Sequence, residues 1–397
     1  MKRIKILYLI DKLDTGGTQR HLVDLVTSID RTVFEPRVVC LMSLGALAEE
    51  LTSAGIAVRS LNLRRIYDFR AVFEAVRLAR VVRDECIPLI HSYLFSANLF
   101  GMLVSRLSGT YLIISKRDLG FEDTRAKKFA ARLPARFADI VTANSNAVAG
   151  HLRKDEGIPR EKIRIIYNGV KISRAVAGAS QGAREVLMRH PNWSPYRVTV
   201  GTVANLKPVK NHRILLYAAR RVLQRFNTVQ FLLVGDGPDK KRLARFVRNL
   251  GIERRVIFFG ETRDVSALHG MMDVFVLPSL HEGFPNALIE AMAAGVPAIA
   301  TNRGGCAEAI MHGLTGFLFD PENAEELARD IVLLLRDEQL RNAVGKAGMF
   351  DVENRFSLNE MVRRHEQMYV SLLRARFVPR AAPARRAEVL EREYATA

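Results

Sequence analysis

His281-Glu282-Gly283-Phe284-Pro285-Asn286-Ala287-Leu288-Ile289-Glu290-Ala291-Met292-Ala293-Ala294-Gly295-Val296-Pro297 decides how this chain folds. It follows the apolar run VFVLPS and reads as strand, turn, helix and stop. Pro285 suits a first helical turn, where its missing N–H is not needed. The spacing predicts a helix over 286–294, ended by Gly295 with Pro297 just beyond. Short apolar runs at 198–203, 229–235, 256–260, 274–278 and 298–301 alternate with helical patterns. That alternation predicts a parallel sheet covered on both faces.

The front of the chain has the same rhythm. Strands are expected at 4–10, 38–42, 58–61, 89–91, 112–115, 140–144 and 163–167, with helices at 19–28, 47–54 and 69–84. Positions 171–195 break the pattern with Gly, Ala, Ser and Arg and end in HPNWSP. The reading is therefore α/β, with two Rossmann-like domains. The first spans 1–180, a linker 181–196, and the second 197–350. Helices over 351–375 are expected to pack back on the first domain, and 376–397 has too little to bury to be ordered.

A chain of 397 residues exceeds what one core usually supports. Its 48% hydrophobic and 26% charged residues suit a soluble enzyme. The net charge is +18, of which the first 190 residues carry +12. Such a front half suggests an anionic partner: nucleic acid, an anionic membrane face or a phosphorylated substrate. No nucleic-acid-binding signature is present, so nucleic acid is not expected. Cys40, Cys86 and Cys306 lack metal-ligand or disulfide spacing, which fits a reducing cytosol. Asp11 and Asp14 come too early for a signal peptide. Positions 86–105 carry no Asp, Glu, Lys or Arg and are long enough to span a bilayer. Pro88, His91, Asn98 and Gly101 punctuate them, so strand, loop and helix are expected instead.

The start of the 286–294 helix would present free backbone N–H groups and partial positive charge, a seat for a diphosphate. Glu282 stands just before that turn and Glu290 two turns further on. Acceptor-only carboxylates there suit sugar and ribose hydroxyls. A bare E-x7-E would more often be two solvated glutamates. Here Gly283, Pro285, Gly295 and Pro297 occur with it.

EGFPNALIEAMAAGVP closely resembles a segment of the family-4 retaining glycosyltransferases, whose fold (GT-B) sets two Rossmann-like domains with parallel sheets across a cleft. The resemblance covers about positions 3–370. It implies that Glu282 faces the transferred sugar, that the backbone at Gly283, Phe284, Pro285 and Asn286 faces sugar and phosphate, and that Glu290 holds the ribose. TGGTQRHL, with Gly16 and Gly17, resembles the family's loop over the donor. VANLKPVKNH resembles the segment with a basic pair for the phosphates: Lys210 matches the lysine, while Asn205 stands where many members have arginine. IHSYLFSA places His91 where the family has a histidine near the sugar.

The resemblance implies transfer from a nucleotide-diphosphate-sugar to a glycan or lipid-linked acceptor, in envelope polysaccharide or lipopolysaccharide assembly. Lys210, Glu282 and His91 would serve the reaction, with no cofactor and no metal. Rival readings are a non-hydrolysing nucleotide-sugar epimerase and an inactive sugar-nucleotide-binding scaffold. The basic segment 125–141 carries Phe129, Leu133 and Phe137 at helical spacing, which suits docking on an anionic membrane surface. Pro134 argues for a kink or break there, and a core-facing helix is the alternative. The expected location is cytoplasmic, peripheral on the inner face of the membrane.

Overall fold

The computed structural model describes residues 3–66, 68–120, 124–172, 181–262 and 264–374. The tail expected to lack order lies outside the described residues.

The first sheet contains β1 (Ile4–Ile10), β2 (Phe34–Cys40), β3 (Ala57–Ser60), β4 (Leu89–Tyr93), β5 (Tyr111–Lys116), β6 (Ile140–Ala143) and β7 (Ile163–Ile165). Its order is β3-β2-β1-β4-β5-β6-β7, and every pairing is parallel. The helices between are α1 (Gly17–Ser28), α2 (Ala48–Ser53), α3 (Phe69–Asp84), α4 (Phe95–Ser108), α5 (Arg125–Phe137) and α6 (Asn146–Lys154). Apolar side chains fill both faces, with Ile6, Tyr8 and Ile10 of β1 on one and Leu7 and Leu9 on the other. That double burial is why these strands read as continuous apolar runs.

Helix α7 (Gln181–Met188) opens the second unit. Its sheet contains β8 (Val198–Val203), β9 (Val229–Val234), β10 (Val256–Gly260), β11 (Val274–Leu277), β12 (Ala298–Thr301) and β13 (Phe317–Phe319), ordered β10-β9-β8-β11-β12-β13. Helices α8 (His212–Leu223), α9 (Lys240–Asn249), α10 (Val265–His269), α11 (Asn286–Ala293), α12 (Gly304–Ala309), α13 (Ala324–Arg336) and α14 (Glu338–Arg355) surround it. Helix α15 (Leu358–Arg374) crosses back, burying Leu358, Met361, Met368 and Tyr369 in the first core. The two crossings meet: Val170 N–H donates to the Phe356 carbonyl at 2.9 Å, and Leu358 N–H to Val170 at 2.9 Å.

Several expectations shift. Residues 181–188, expected in a linker, form α7, whose Leu187 is fully buried in the second core. Helix α1 begins at Gly17 rather than 19. Strand β13, three residues long, was not anticipated. Helix α5 continues through Pro134, whose carbonyl still accepts from Ala138 N–H at 2.9 Å. The charge-free stretch 86–105 resolves into β4 and part of α4, and no described helix is long and apolar enough to cross a membrane.

Candidate active site

In each sheet the strand order reverses beside the first strand, between β1 and β4 and between β8 and β11. Loops at the carboxyl ends of such neighbours splay apart and leave a crevice. The loops carrying Gly16, Gly17, Lys210 and Glu282 all leave these strands.

A cavity of about 260 Å³ lies between the halves. Gly17, Thr18, Arg117, Asn144 and Asn168 line it from the first half. Lys210, Glu282 and 284–287 line it from the second. Lys210 Nζ lies 2.5 Å from Glu282 Oε1, with both side chains largely covered. A backbone bond of 2.9 Å from Leu280 N–H to the Val209 carbonyl ties their two loops together.

Helix α11 starts at Asn286 after Pro285, with no side chain capping it, so its first amides remain available to a ligand. Two glycines permit the approach of other backbone. A Cβ on Gly283 would collide with the Arg117 carbonyl, and one on Gly304, at φ +54°, with the Glu282 carbonyl. Gly17 comes so near that a Cβ there would sit 3.5 Å from Asn286 Nδ2. Asn168 bridges the halves, accepting from Arg117 Nη2 and donating to Asn286 Oδ1.

Glu290, on α11, is half-buried and does not line this cavity. Burial, reinforced by Asp24 and opposed by Arg20, pushes its carboxyl up to about 7. Glu308 of α12 fastens the halves. Its carboxylate accepts from the backbone N–H groups of Asn146 and Ala147 (both 2.8 Å) and from the Tyr167 hydroxyl (2.9 Å). A carboxylate at the start of α6 is also favoured by the helix dipole.

The expected residues do not all converge. Gly17, Lys210, Glu282, Phe284, Pro285 and Asn286 line the cavity. Gly16, extended at φ −178°, precedes it as the cap of α1. Gly283 is the close-packing point between the halves. Asn205 is exposed and does not line the cavity.

His91 is placed elsewhere: it is fully buried, its Nδ1 2.8 Å from the Tyr369 hydroxyl, packed with Tyr8, Tyr93 and His365. Strand β4 continues to Tyr93, so His91 sits within the strand rather than at its last position. The sequence singled out neither Arg117 nor Asn144, and Asn168-Gly169-Val170 reads there as a structural landmark of the first domain. Their positions just past β5, β6 and β7 were the available signal, since crevice residues come from strand ends.

Two family profiles match: Glycosyltransferase Family 4 over residues 15–174 and Glycosyl transferases group 1 over 184–349. The chain is a GT-B glycosyltransferase. It is 36% identical over 172 residues to N-acetyl-alpha-D-glucosaminyl L-malate synthase of Bacillus anthracis, covering 43% of this chain and 45% of that protein. It is 23% identical to the UDP-Gal:alpha-D-GlcNAc-diphosphoundecaprenol alpha-1,3-galactosyltransferase of Escherichia coli, covering 94% and 98%. The solved structure of Anabaena HepE in complex with UDP-glucose superposes with a TM-score of 0.79 at 25% identity, covering 93% of this glycosyltransferase and 100% of that chain. These relatives do not favour the epimerase and scaffold alternatives.

Proposed function

We propose that this glycosyltransferase moves a hexose from a UDP-sugar, with retention of configuration, onto a lipid-linked glycan in cell-envelope polysaccharide assembly. The cavity between the halves carries the reading, because Lys210, Glu282 and the uncapped start of α11 converge there. Lys210 and the α11 amides would stabilise the departing diphosphate electrostatically. Glu282 holds Lys210 in place and orients the sugar. Retention is read as same-face attack, with the leaving phosphate taking the acceptor's proton, and the transfer as metal-independent. The uridine base is supported by the UDP-glucose held by HepE and by the UDP-Gal in the name of the Escherichia coli relative. A second cavity of about 190 Å³, lined by Asp11, Leu94, Asn98, Asp118 and Pro134, meets the first at Thr18 and Arg117 and suits the acceptor. Leu94 there adopts φ 73°, a strained value for leucine of the kind held at ligand sites.

A membrane-facing acceptor is supported by the surface beside that cavity. On α5, Phe129, Leu133 and Phe137 are exposed, so the stripe faces outward. On α3, Phe69 is 96% and Phe73 67% exposed. Both helices pack against α4, which places the two apolar rows on one side. Arg70, Arg77, Arg80, Arg132 and Arg136 are exposed among them. Each cation adds about 1 kcal/mol near an anionic surface.

The test combines UDP-glucose, UDP-galactose or UDP-N-acetylglucosamine with an undecaprenyl-diphosphate-linked sugar, and follows UDP release and the anomeric configuration of the product. Acceptor-dependent release with an α product is expected. Release of UDP independent of every acceptor, or an inverted product, overturns the reading.

A further inference from the structure

The two cations of the central cavity stand in different electrostatic states. Lys210 is neutralised by Glu282 at 2.5 Å. Arg117 has no carboxylate partner among the described residues, and its Nη2 donates to the neutral amide of Asn168. Burial pushes its guanidinium down to about 10, which leaves it charged at neutral pH. A half-buried guanidinium without a counter-ion is costly, and an anion that reaches it gains correspondingly.

Beside it stands a complementary deficit. Asn144 is 3% exposed, and its Nδ2 is engaged by the Arg117 carbonyl at 3.0 Å. Asn144 lines the cavity, and its buried Oδ1, packed beside Gly283, has no hydrogen-bond partner among the described residues. A buried acceptor left unmet costs about 1–3 kcal/mol until something donates to it. One wall, made entirely by the first half, therefore presents a cation awaiting an anion and an acceptor awaiting a hydroxyl.

We propose that Arg117 and Asn144 form a sugar-phosphate seat on the first half, Arg117 gripping phosphate oxygens opposite Lys210 and Asn144 Oδ1 accepting from a sugar hydroxyl. The planar guanidinium takes two phosphate oxygens at once, which an ammonium cannot do. Since Asn168 links Arg117 to Asn286, an anion held by Arg117 also lies at the start of α11. The phosphate has two sources within the proposed reaction, on which this inference rests: the donor's diphosphate, or the phosphate of a lipid-linked acceptor entering through the second cavity.

Calorimetric titration of the full chain with UDP, uridine and inorganic pyrophosphate, alongside the acceptor KM, tests the assignment. Arg117→Gln is expected to weaken UDP and pyrophosphate at least tenfold and leave uridine unchanged if the donor supplies the phosphate. If the acceptor supplies it, UDP affinity holds and the KM for a diphosphate-linked acceptor rises at least tenfold. Arg117→Lys should recover part of either loss. Asn144→Ala removes the buried acceptor and should leave pyrophosphate affinity unchanged while weakening the sugar-bearing substrate, and Arg117→Lys alone reads the phosphate contact should Arg117→Gln not fold. Unchanged UDP affinity together with unchanged acceptor KM in a folded variant overturns the seat. A wild-type protein that binds pyrophosphate through Arg117 but no nucleoside diphosphate would keep the seat and remove the transferase reading.

Discussion

Replacing Glu290 by glutamine keeps the side chain's size and removes its charge. The carboxyl stands at about 7 against an ordinary 4.5. At about 1.4 kcal/mol per unit, solvent at its open side trims the gain to roughly 2–3 kcal/mol. Because the folded value lies above the unfolded one, Glu290's contribution to stability is full below 4.5 and is lost as pH rises through about 7. Glu290→Gln should therefore raise the thermal midpoint by several degrees at about pH 8 and leave it nearly unchanged at about pH 5. The same variant should bind UDP less tightly, since an ionised carboxylate is the better acceptor for ribose hydroxyls. Scanning calorimetry at both pH values, with and without UDP, reads all of this. An equal midpoint shift at the two pH values would refute the burial argument, and tighter UDP binding would refute the ribose assignment.

Lys210→Ala should weaken UDP about tenfold or more, as loss of a charge-assisted hydrogen bond costs about 1.5–3 kcal/mol; unchanged affinity by titration counts against it. Glu308→Ala removes the carboxylate joining α12 to α6, so the free protein should scatter X-rays with a larger radius of gyration that UDP partly reverses. His21, His91 and His365 are buried, with His365 pushed down to about 4 and the other two well below their usual value. Stability is thus full above about 6.5 and falls by about 1.4 kcal/mol per pH unit per histidine as pH drops toward 4, which denaturant titrations at stepped pH will show. Phe69→Ser with Phe73→Ser should cut co-sedimentation with anionic vesicles several-fold while leaving UDP binding intact.

Much of this architecture was legible because both units bury their sheets on two faces, so strand and helix periods stand out. The bounds of α3, β8, β10 and β12 follow directly from where apolar runs stop. The α11 loop was equally readable: Pro285 and Gly295 punctuate it whatever surrounds them. Illegible features depend on meetings between distant segments. Helix α7 looks like linker until Leu187 finds α10. His91 looks catalytic until α15, nearly 280 residues later, brings Tyr369 to its ring. Arg117 is one arginine among many, and only its link through Asn168 to Asn286 of the other half sets its guanidinium apart.

The return of α15 to the first half has a consequence for synthesis. Leu358, Met361, Val362, Met368 and Tyr369 of α15 complete a core whose other buried members all lie at or before Ile166. During translation the front half emerges with its α15 groove uncovered, exposing Tyr8, Phe34, His21 and His91 to water until the second half has been made. A nascent chain halted before residue 358 should therefore be protease-sensitive in its front half, whereas one released after residue 374 should not. Splitting the gene between the two sheets should likewise yield a front fragment that recruits chaperones, and adding α15 as a separate peptide should rescue it.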